Sequence, residues 1–255
     1  MSKFVLYDAA YSPAGRRTRM ALLEKGVPFE IRWLNLALMD QKKPSYLKLN
    51  PNGLVPTLVH EGDAIYESNV INEYIEALVP TPPLMPPNAR GHAEVRMWLA
   101  FESGWAPLFR DVFYETVAKE RLKKNLSDPA KLEAEIKERT SNPVYFKLAK
   151  QVLDTPRNDE LIENRLAVLM ERMQSMEERL ADGRQWLTGD RYTLADLGLA
   201  PRIDMYPMIG VPDIYERFPR LGAWMERVKA RPSWKRSEIF PEPGQAVTMV
   251  QGERQ

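Results

Sequence analysis

Residues 50–75 read NPNGLVPTLVHEGDAIYESNVINEYI, and the reading of this stretch decides the fold of the first third of the chain. Asn50-Pro51-Asn52-Gly53 is a turn, and the apolar run 54–59 predicts a strand. Glu61-Gly62 makes a two-residue connection to a second strand over 64–66. Glu67-Ser68 then stands at the mouth of a helix whose Val70, Ile71, Tyr74, Ile75 and Leu78 follow helical spacing. A proline near a strand's start and an acid–hydroxyl pair at a helix N-terminus are two devices for holding a peptide. One offers strand backbone to pair with it, the other helix N–H groups for its carboxylate.

Upstream, residues 4–7 form a short apolar run suited to a buried strand. From Pro13 an amphipathic helix is predicted, with Met20, Leu22, Leu23 and Val27 on its apolar side and Gly26 as its stop. A second strand over 28–34 completes a βαβ unit, whose two strands are expected to be parallel. Residues 43–49 suit a short helix before the turn. The first domain, residues 1–79, therefore reads βαβ, then α, then ββα.

Downstream, PTPPLMPPNAR (80–90) has five prolines in its first eight positions, a density that breaks helices and marks a linker. Strand patterns are absent after it. Residues 92–117 carry Val95, Trp98, Leu99, Phe101, Trp105, Leu108, Phe109 and Phe113 at helical spacing. A charged stretch follows over 119–139, with breaks at Asn142-Pro143 and Thr155-Pro156. Helices are predicted over 159–181, 193–200 and 220–231. Thr193 and Asp196 form a capping box, flanked by a Tyr192–Leu197 staple. Residues 91–240 are thus an all-helical domain. Residues 241–255 are a polar tail, expected either to be disordered or to fold over a pocket.

Composition narrows the function classes. Hydrophobic residues make up 44% and charged residues 28%, the proportions of an ordinary soluble globular protein. A formal net charge of +1 gives no field that argues for nucleic acid or an anionic membrane. The absence of cysteine excludes disulfides, zinc–thiolate sites and a protein thiol nucleophile. With His60 and His92 as its two histidines, the chain suits neither a Ser-His-Asp hydrolase nor a His-rich metal site. His60 reads as a hairpin cap and His92 as an exposed residue after the linker. No metal is expected. The N-terminus lacks a signal-peptide core and no run reaches transmembrane length, so a cytoplasmic protein is expected.

Ser12-Pro13 ahead of Arg17-Thr18-Arg19, Asn50-Pro51, Val55-Pro56, Glu67-Ser68, the proline linker and Thr193-Leu194-Ala195-Asp196 occur in one order over most of the chain. In this it resembles the glutathione transferase superfamily: a thioredoxin-like α/β N-terminal domain followed by an all-α C-terminal domain. The resemblance implies glutathione as co-substrate, and roles for particular positions. Val55 would pair through its backbone with the cysteinyl unit, Pro56 would be cis, and Glu67 and Ser68 would hold the γ-glutamyl amine and carboxylate. Gln41 falls where theta- and zeta-like members carry a group near the glycine carboxylate.

Ser12 is the implied catalytic residue, matching the serine of zeta-like members and the cysteine of omega-like ones, with Tyr7 as the rival hydroxyl. Its task is to stabilise the glutathione thiolate. A hydroxyl hydrogen bond to a charged group contributes about 1.5–3 kcal/mol and a helix N-terminus about 0.3–1 kcal/mol. Together these lower a thiol pKa of about 8.5 by about 1–3, enough to make thiolate a large share at neutral pH. Apart from the resemblance, Ser12 is simply an N-cap before a proline at N1. Arg16 and Arg17 read as solvated helix charges, with anion binding as the alternative.

Tyr11 is expected to shape the pocket, and Trp98, Phe101, Trp105 and Phe109 supply candidates for a wall facing an aromatic electrophile; core packing is their plain alternative. The first domain, with ALLEKGVPFE and NPNGLVPTL, is similar to bacterial enzymes that cleave lignin β-aryl ethers. It also looks like the tetrachlorohydroquinone dehalogenases, but those need an active-site cysteine. The superfamily implies a homodimer. The competing class is a non-catalytic transferase-like binding or scaffold protein.

Overall fold

The computed structural model describes residues 4–36, 39–120, 134 and 155–238, and the backbone of 246–249. Its N-terminal domain is a mixed sheet of order β4-β3-β1-β2-β5. Strands β1 (Phe4–Asp8) and β2 (Phe29–Trp33) are parallel, joined by helix α1 (Pro13–Glu24) as the βαβ reading requires. The short helix α2 (Pro44–Leu47) leads to β3 (Thr57–His60), which lies antiparallel to β1 and to β4 (Asp63–Tyr66). Between β3 and β4, Glu61 and Gly62 both take positive φ (55° and 94°), as a two-residue turn matched to strand twist demands. Helix α3 (Ser68–Leu78) follows and packs beside α1.

The second half is helical over most of its described length. Helix α4 (Ala89–Phe113) runs on through a π-turn, Tyr114–Ala118, and pairs with α5 (Asp159–Arg179). Helix α6 (Leu194–Ile203) is buried along its whole length and lies against both α1 and α4. A 3-10 turn (Tyr206–Ile209) and helices α7 (Ile214–Arg217), α8 (Pro219–Lys229) and α9 (Pro232–Arg236) complete it. Its core gathers Trp105, Phe109, Leu169, Met173, Leu197, Tyr206 and Trp224, while Leu6, Met20, Ile31, Leu58 and Ile71 fill the first domain's core.

Several expectations change. Strand β3 begins at Thr57 rather than at 54, because Pro56 has no N–H to give a ladder; Leu54 is exposed and the backbone of Val55 is left out of the sheet. One strand does follow residue 90. Residues Ala246–Met249 form β5, antiparallel to β2, so part of the tail covers a sheet edge. Its Val-Thr pair is a strand signal that the neighbouring polar residues hid. His60 is buried, stacked on Phe4 at 4.0 Å and bonded to the Tyr74 hydroxyl at 2.7 Å, so it packs in the core rather than capping the hairpin. Most of the charged stretch 119–139 and the Asn142-Pro143 break lie outside the described residues.

The arginines of α1 are also not solvated. The helix is sandwiched between sheet and helical domain, and each face carries an ion pair. Arg19 reaches the sheet, its Nη1 2.5 Å from Asp8 Oδ2, and both groups are fully buried. Arg17 forks onto Glu102 of α4 at 2.6 and 2.8 Å, and Arg202 of α6 donates to the same carboxylate at 2.5 Å. Burial alone would push Glu102 up, but the two guanidinium groups outweigh it and hold its pKa at about 2. Arg16 bonds Asp204, Ser237 and Glu238 and lies 3.7 Å over the Trp234 ring. Farther along, the Glu24 carboxylate receives both Arg231 and the Ser233 hydroxyl. Helix α1 is thus tied from end to end to the second domain.

Candidate active site

Residue 12 ends the loop after β1. Its backbone is extended (φ −80°, ψ 114°), and its Oγ accepts the Gly15 N–H at 3.0 Å, the bond of an N-cap. A hydroxyl that accepts in this way still has its proton, and among the described residues no acceptor takes it. The carboxylate of Asp8 lies directly beneath the first turn. A Cβ on Gly15 would stand 1.6 Å from Asp8 Oδ1, so only glycine lets the turn close over that buried group. Burial raises the pKa of Asp8 and lowers that of Arg19; the pairing between them opposes both shifts.

Register places the other elements around this loop. Tyr7 pairs with Thr57 and Thr57 with Tyr66, so Pro56, the start of α1 and the start of α3 lie on neighbouring strand ends. The Val55–Pro56 peptide is cis. The loop before it is held by buried donors: the Tyr46 hydroxyl and Asn50 Nδ2 both donate to the Leu54 carbonyl, at 2.5 and 2.9 Å. Burial pushes the Tyr46 pKa up to about 12, keeping that donor neutral. The N–H and C=O of Val55 have no backbone partner among the described residues, leaving a short open edge.

At the next corner Glu67 adopts φ 68°, a strained value for a residue with a side chain, immediately before α3. No side chain caps α3, so the N–H groups of its first turn remain available to an anion. Asn52 Nδ2 lies 3.4 Å from Glu67 Oε1, joining the turn to this corner. The 3-10 turn Asp40–Lys42 closes the opposite side: Lys42 Nζ donates to the Asn52 carbonyl at 3.2 Å, against Gly53. Gln41 Oε1 is buried there without a hydrogen-bond partner, an orphaned acceptor that a ligand N–H can satisfy. Lys42 was missed in the sequence. Its signal was proximity to Gln41 and the need for a cation near a carboxylate. Burial lowers its pKa.

The structure thus gathers Ser12, Gln41, Val55, Pro56, Glu67 and Ser68 along one rim of the sheet. Tyr7 is engaged elsewhere, its hydroxyl accepting from Arg32 Nη1 at 2.7 Å. Tyr11, 54% exposed, stands beside Ser12. The aromatic wall must be corrected. Trp105 and Phe109 keep 1% and 2% of their surface and pack with Tyr206 in the bundle core, where they present nothing to a substrate. Phe101 lies under Arg172 of α5, with Trp98 edge-on to it at 5.4 Å, so this pair faces α5.

An open strand edge, an uncapped helix N-terminus and a hydroxyl with a free proton suit an extended peptide bearing a carboxylate and a nucleophilic group. Family comparison agrees with that arrangement. A glutathione S-transferase N-terminal domain profile matches residues 11–78, and the C-terminal domain profile matches 97–232. The chain belongs to the glutathione S-transferase family. A glutathione S-transferase of Hyoscyamus muticus is 30% identical over 236 residues, covering 91% of this chain and 96% of that one. Protein URE2 of Kluyveromyces marxianus is 27% identical over 91% of this chain, which spans 58% of its length. The crystal structure of the β-etherase LigF from Sphingobium sp. strain SYK-6 superposes with a TM-score of 0.79 at 24% identity, covering 92% of this chain and 98% of that one. At that identity the likeness concerns the fold. The family uses glutathione as its co-substrate, and among the described residues no group of three or more His, Cys, Asp or Glu is placed to hold a metal.

Proposed function

We propose that this family member is a serine-type transferase in which Ser12 stabilises the glutathione thiolate for attack on a hydrophobic aromatic electrophile. The observation that carries the reading is the N-cap bond at Ser12. Because Oγ accepts from Gly15, its own proton is directed away from the helix and can be donated to sulfur. Val55 would pair with the cysteinyl backbone. Glu67 and Ser68 would hold the γ-glutamyl group, and Gln41, donating through Nε2, with Lys42 the glycine carboxylate. The thiolate then forms a carbon–sulfur bond as the carbon–leaving-group bond breaks and the leaving group departs with that bond's electron pair. With a β-aryl ether the departing group is a phenolate, which takes a proton to become the phenol; the similarity to β-etherases supports this as one substrate class.

The test is retention on immobilised glutathione followed by turnover of an activated aryl halide and of a β-aryl ether. Ser12→Ala should lower turnover about 10-fold or more, the worth of a charge-assisted hydrogen bond, with glutathione affinity nearly retained. An unaffected rate transfers the role to another group. Binding without turnover of any electrophile favours the second reading, a transferase-like binding module, since the fold alone does not specify activity.

The same proposal includes a cytoplasmic location, a division at the linker 80–90, and a two-fold homodimer. Tyr66, Val70 and Met97 on β4, α3 and α4 are exposed apolar side chains that a second copy would cover.

A further inference from the structure

Helix α4 carries a face that the aromatic stripe conceals. Its Ser103 accepts a bond from Asn69 Nδ2, at 3.3 Å, and Arg96 pairs with Glu73, so this side of α4 lies along α3. At about 100° per residue, Ser103, Pro107, Arg110 and Tyr114 fall within about 60° of one another. Trp98, Phe101 and Trp105 lie about 140–160° around the helix from Ser103. Asn69 is the second residue of α3. Beyond Ser103, therefore, this face has run past the end of α3 and stands over the rim that holds Glu67 and Ser68.

Helix α1 reaches the same region. Arg17 binds Glu102, one residue before Ser103, and Ser12 lies at the N-terminal end of the same helix. Tyr206 packs on Trp105 and Phe109 across α4, so the face that continues beyond Ser103 toward the Ser12 rim carries Pro107, Arg110 and Tyr114.

On this face Arg110, an exposed residue, is distinctive. Its helical neighbours are Ala106, Pro107, Phe113 and Tyr114, none of them acidic. The nearby acids are already engaged, Asp111 with Arg165 and Glu115 with Lys119. Among the described residues the Arg110 guanidinium has no hydrogen-bond or ion-pair partner. Tyr114, 38% exposed, begins the π-turn, an irregularity found disproportionately at functional positions. Lys119 and Glu115 anchor that turn to the start of α5 through the Pro156 carbonyl and the Asn158 N–H.

We propose that Arg110 and Tyr114 select a second substrate that is an aromatic electrophile bearing an anionic substituent such as a carboxylate. Tyr114 lies against the ring and Arg110 forks onto the charge. This rests on the glutathione-transferase reading and narrows its substrate class.

The test is calorimetric binding of glutathione, S-(2,4-dinitrophenyl)glutathione and S-(4-carboxy-2-nitrophenyl)glutathione to the wild type and to Arg110→Met, Arg110→Lys and Tyr114→Ala. Binding of these conjugates needs no turnover. The wild type should prefer the carboxylated conjugate. Arg110→Met should cut that preference about fivefold to tenfold, Arg110→Lys should keep most of it, and Tyr114→Ala should weaken both conjugates relative to glutathione. Equal preference in wild type and Arg110→Met overturns the proposal. So does glutathione binding to which neither aryl group adds affinity, and in that case the transferase reading survives. If glutathione itself does not bind, both fall.

Discussion

Replacing Glu102 by glutamine should reveal how strongly the two domains are held together. The carboxylate is buried and receives Arg17 and Arg202, and its pKa falls from 4.5 to about 2. A carboxyl group whose folded pKa lies below its unfolded value contributes stability above the unfolded pKa and loses it as pH falls through the folded one. That gap corresponds to about 3 kcal/mol at neutral pH, in line with the roughly 3–5 kcal/mol lost when one partner of a buried ion pair is removed. A substantial part of it should already be gone at pH 3.5. Glu102→Gln should therefore lower the unfolding temperature at pH 7 by roughly 6–12 °C for a chain of this size. Its stability should also fall less steeply than the wild type's between pH 5 and pH 3. Unfolding followed at fixed protein concentration over that range checks both. A variant with the wild-type midpoint at pH 7, or with an unchanged acid limb, would refute the idea that the triad carries this energy.

Gly15→Ala puts a methyl group into the Asp8 carboxylate. It should cost about 2–4 kcal/mol in denaturant unfolding and lower transferase turnover as well, because the N-cap bond to Ser12 is displaced with the turn. Asp196 behaves oppositely to Glu102. Burial raises its pKa to about 6 despite donors at Leu187, Trp224 and Thr193, so the native state holds more protons between about pH 4 and pH 6 and stability falls as pH rises through that window. Asp196→Asn should flatten that descent and, by leaving at least one donor unpaired, cost about 1–3 kcal/mol in chemical unfolding at pH 4. Thr193→Ala, which removes the cap itself, should cost about 1 kcal/mol, read as a lower denaturation midpoint with unchanged slope.

Much of the fold was legible because its elements obey local rules. Alternation and turn residues gave β3 and β4, Gly26 stopped α1, and Thr193 with Asp196 opened α6. What was not legible depended on neighbours distant in sequence. Arg16 and Arg17 of α1 look like a solvated stripe in isolation, and the arrival of Asp204 and Glu102 from the second domain makes them interior. A periodic pattern records that a helix has a polar side. It does not record that another domain has brought acids to meet it. Likewise Val247-Thr248 had a strand's chemistry, but its partner β2 is more than 200 residues away in sequence.

The site divides along the same line. Positions proposed to bind through backbone groups or helix ends were readable from a few adjacent residues: Val55-Pro56, Glu67-Ser68 and Ser12-Pro13 announce their geometry by chemistry alone. The second-substrate side was misread because aromatic residues invite the inference that they face an aromatic ligand. On α4 the largest rings are the most valuable core material, so Trp105 and Phe109 went inward, where their area is fully buried. On our proposal the second substrate meets the remaining face, with Ser103, Pro107, Arg110 and Tyr114. Its angular position follows from Asn69 and Ser103 meeting, a contact between the two domains that no spacing within α4 could disclose. On that proposal substrate choice depends on how the two domains are docked. For that reason Glu102→Gln should alter selectivity between aryl substrates even though Glu102 touches none of them. Comparing the ratio of kcat/KM for carboxylated and uncharged aryl halides in Glu102→Gln and the wild type checks this, and an unchanged ratio in a folded variant would show that docking and selectivity are independent.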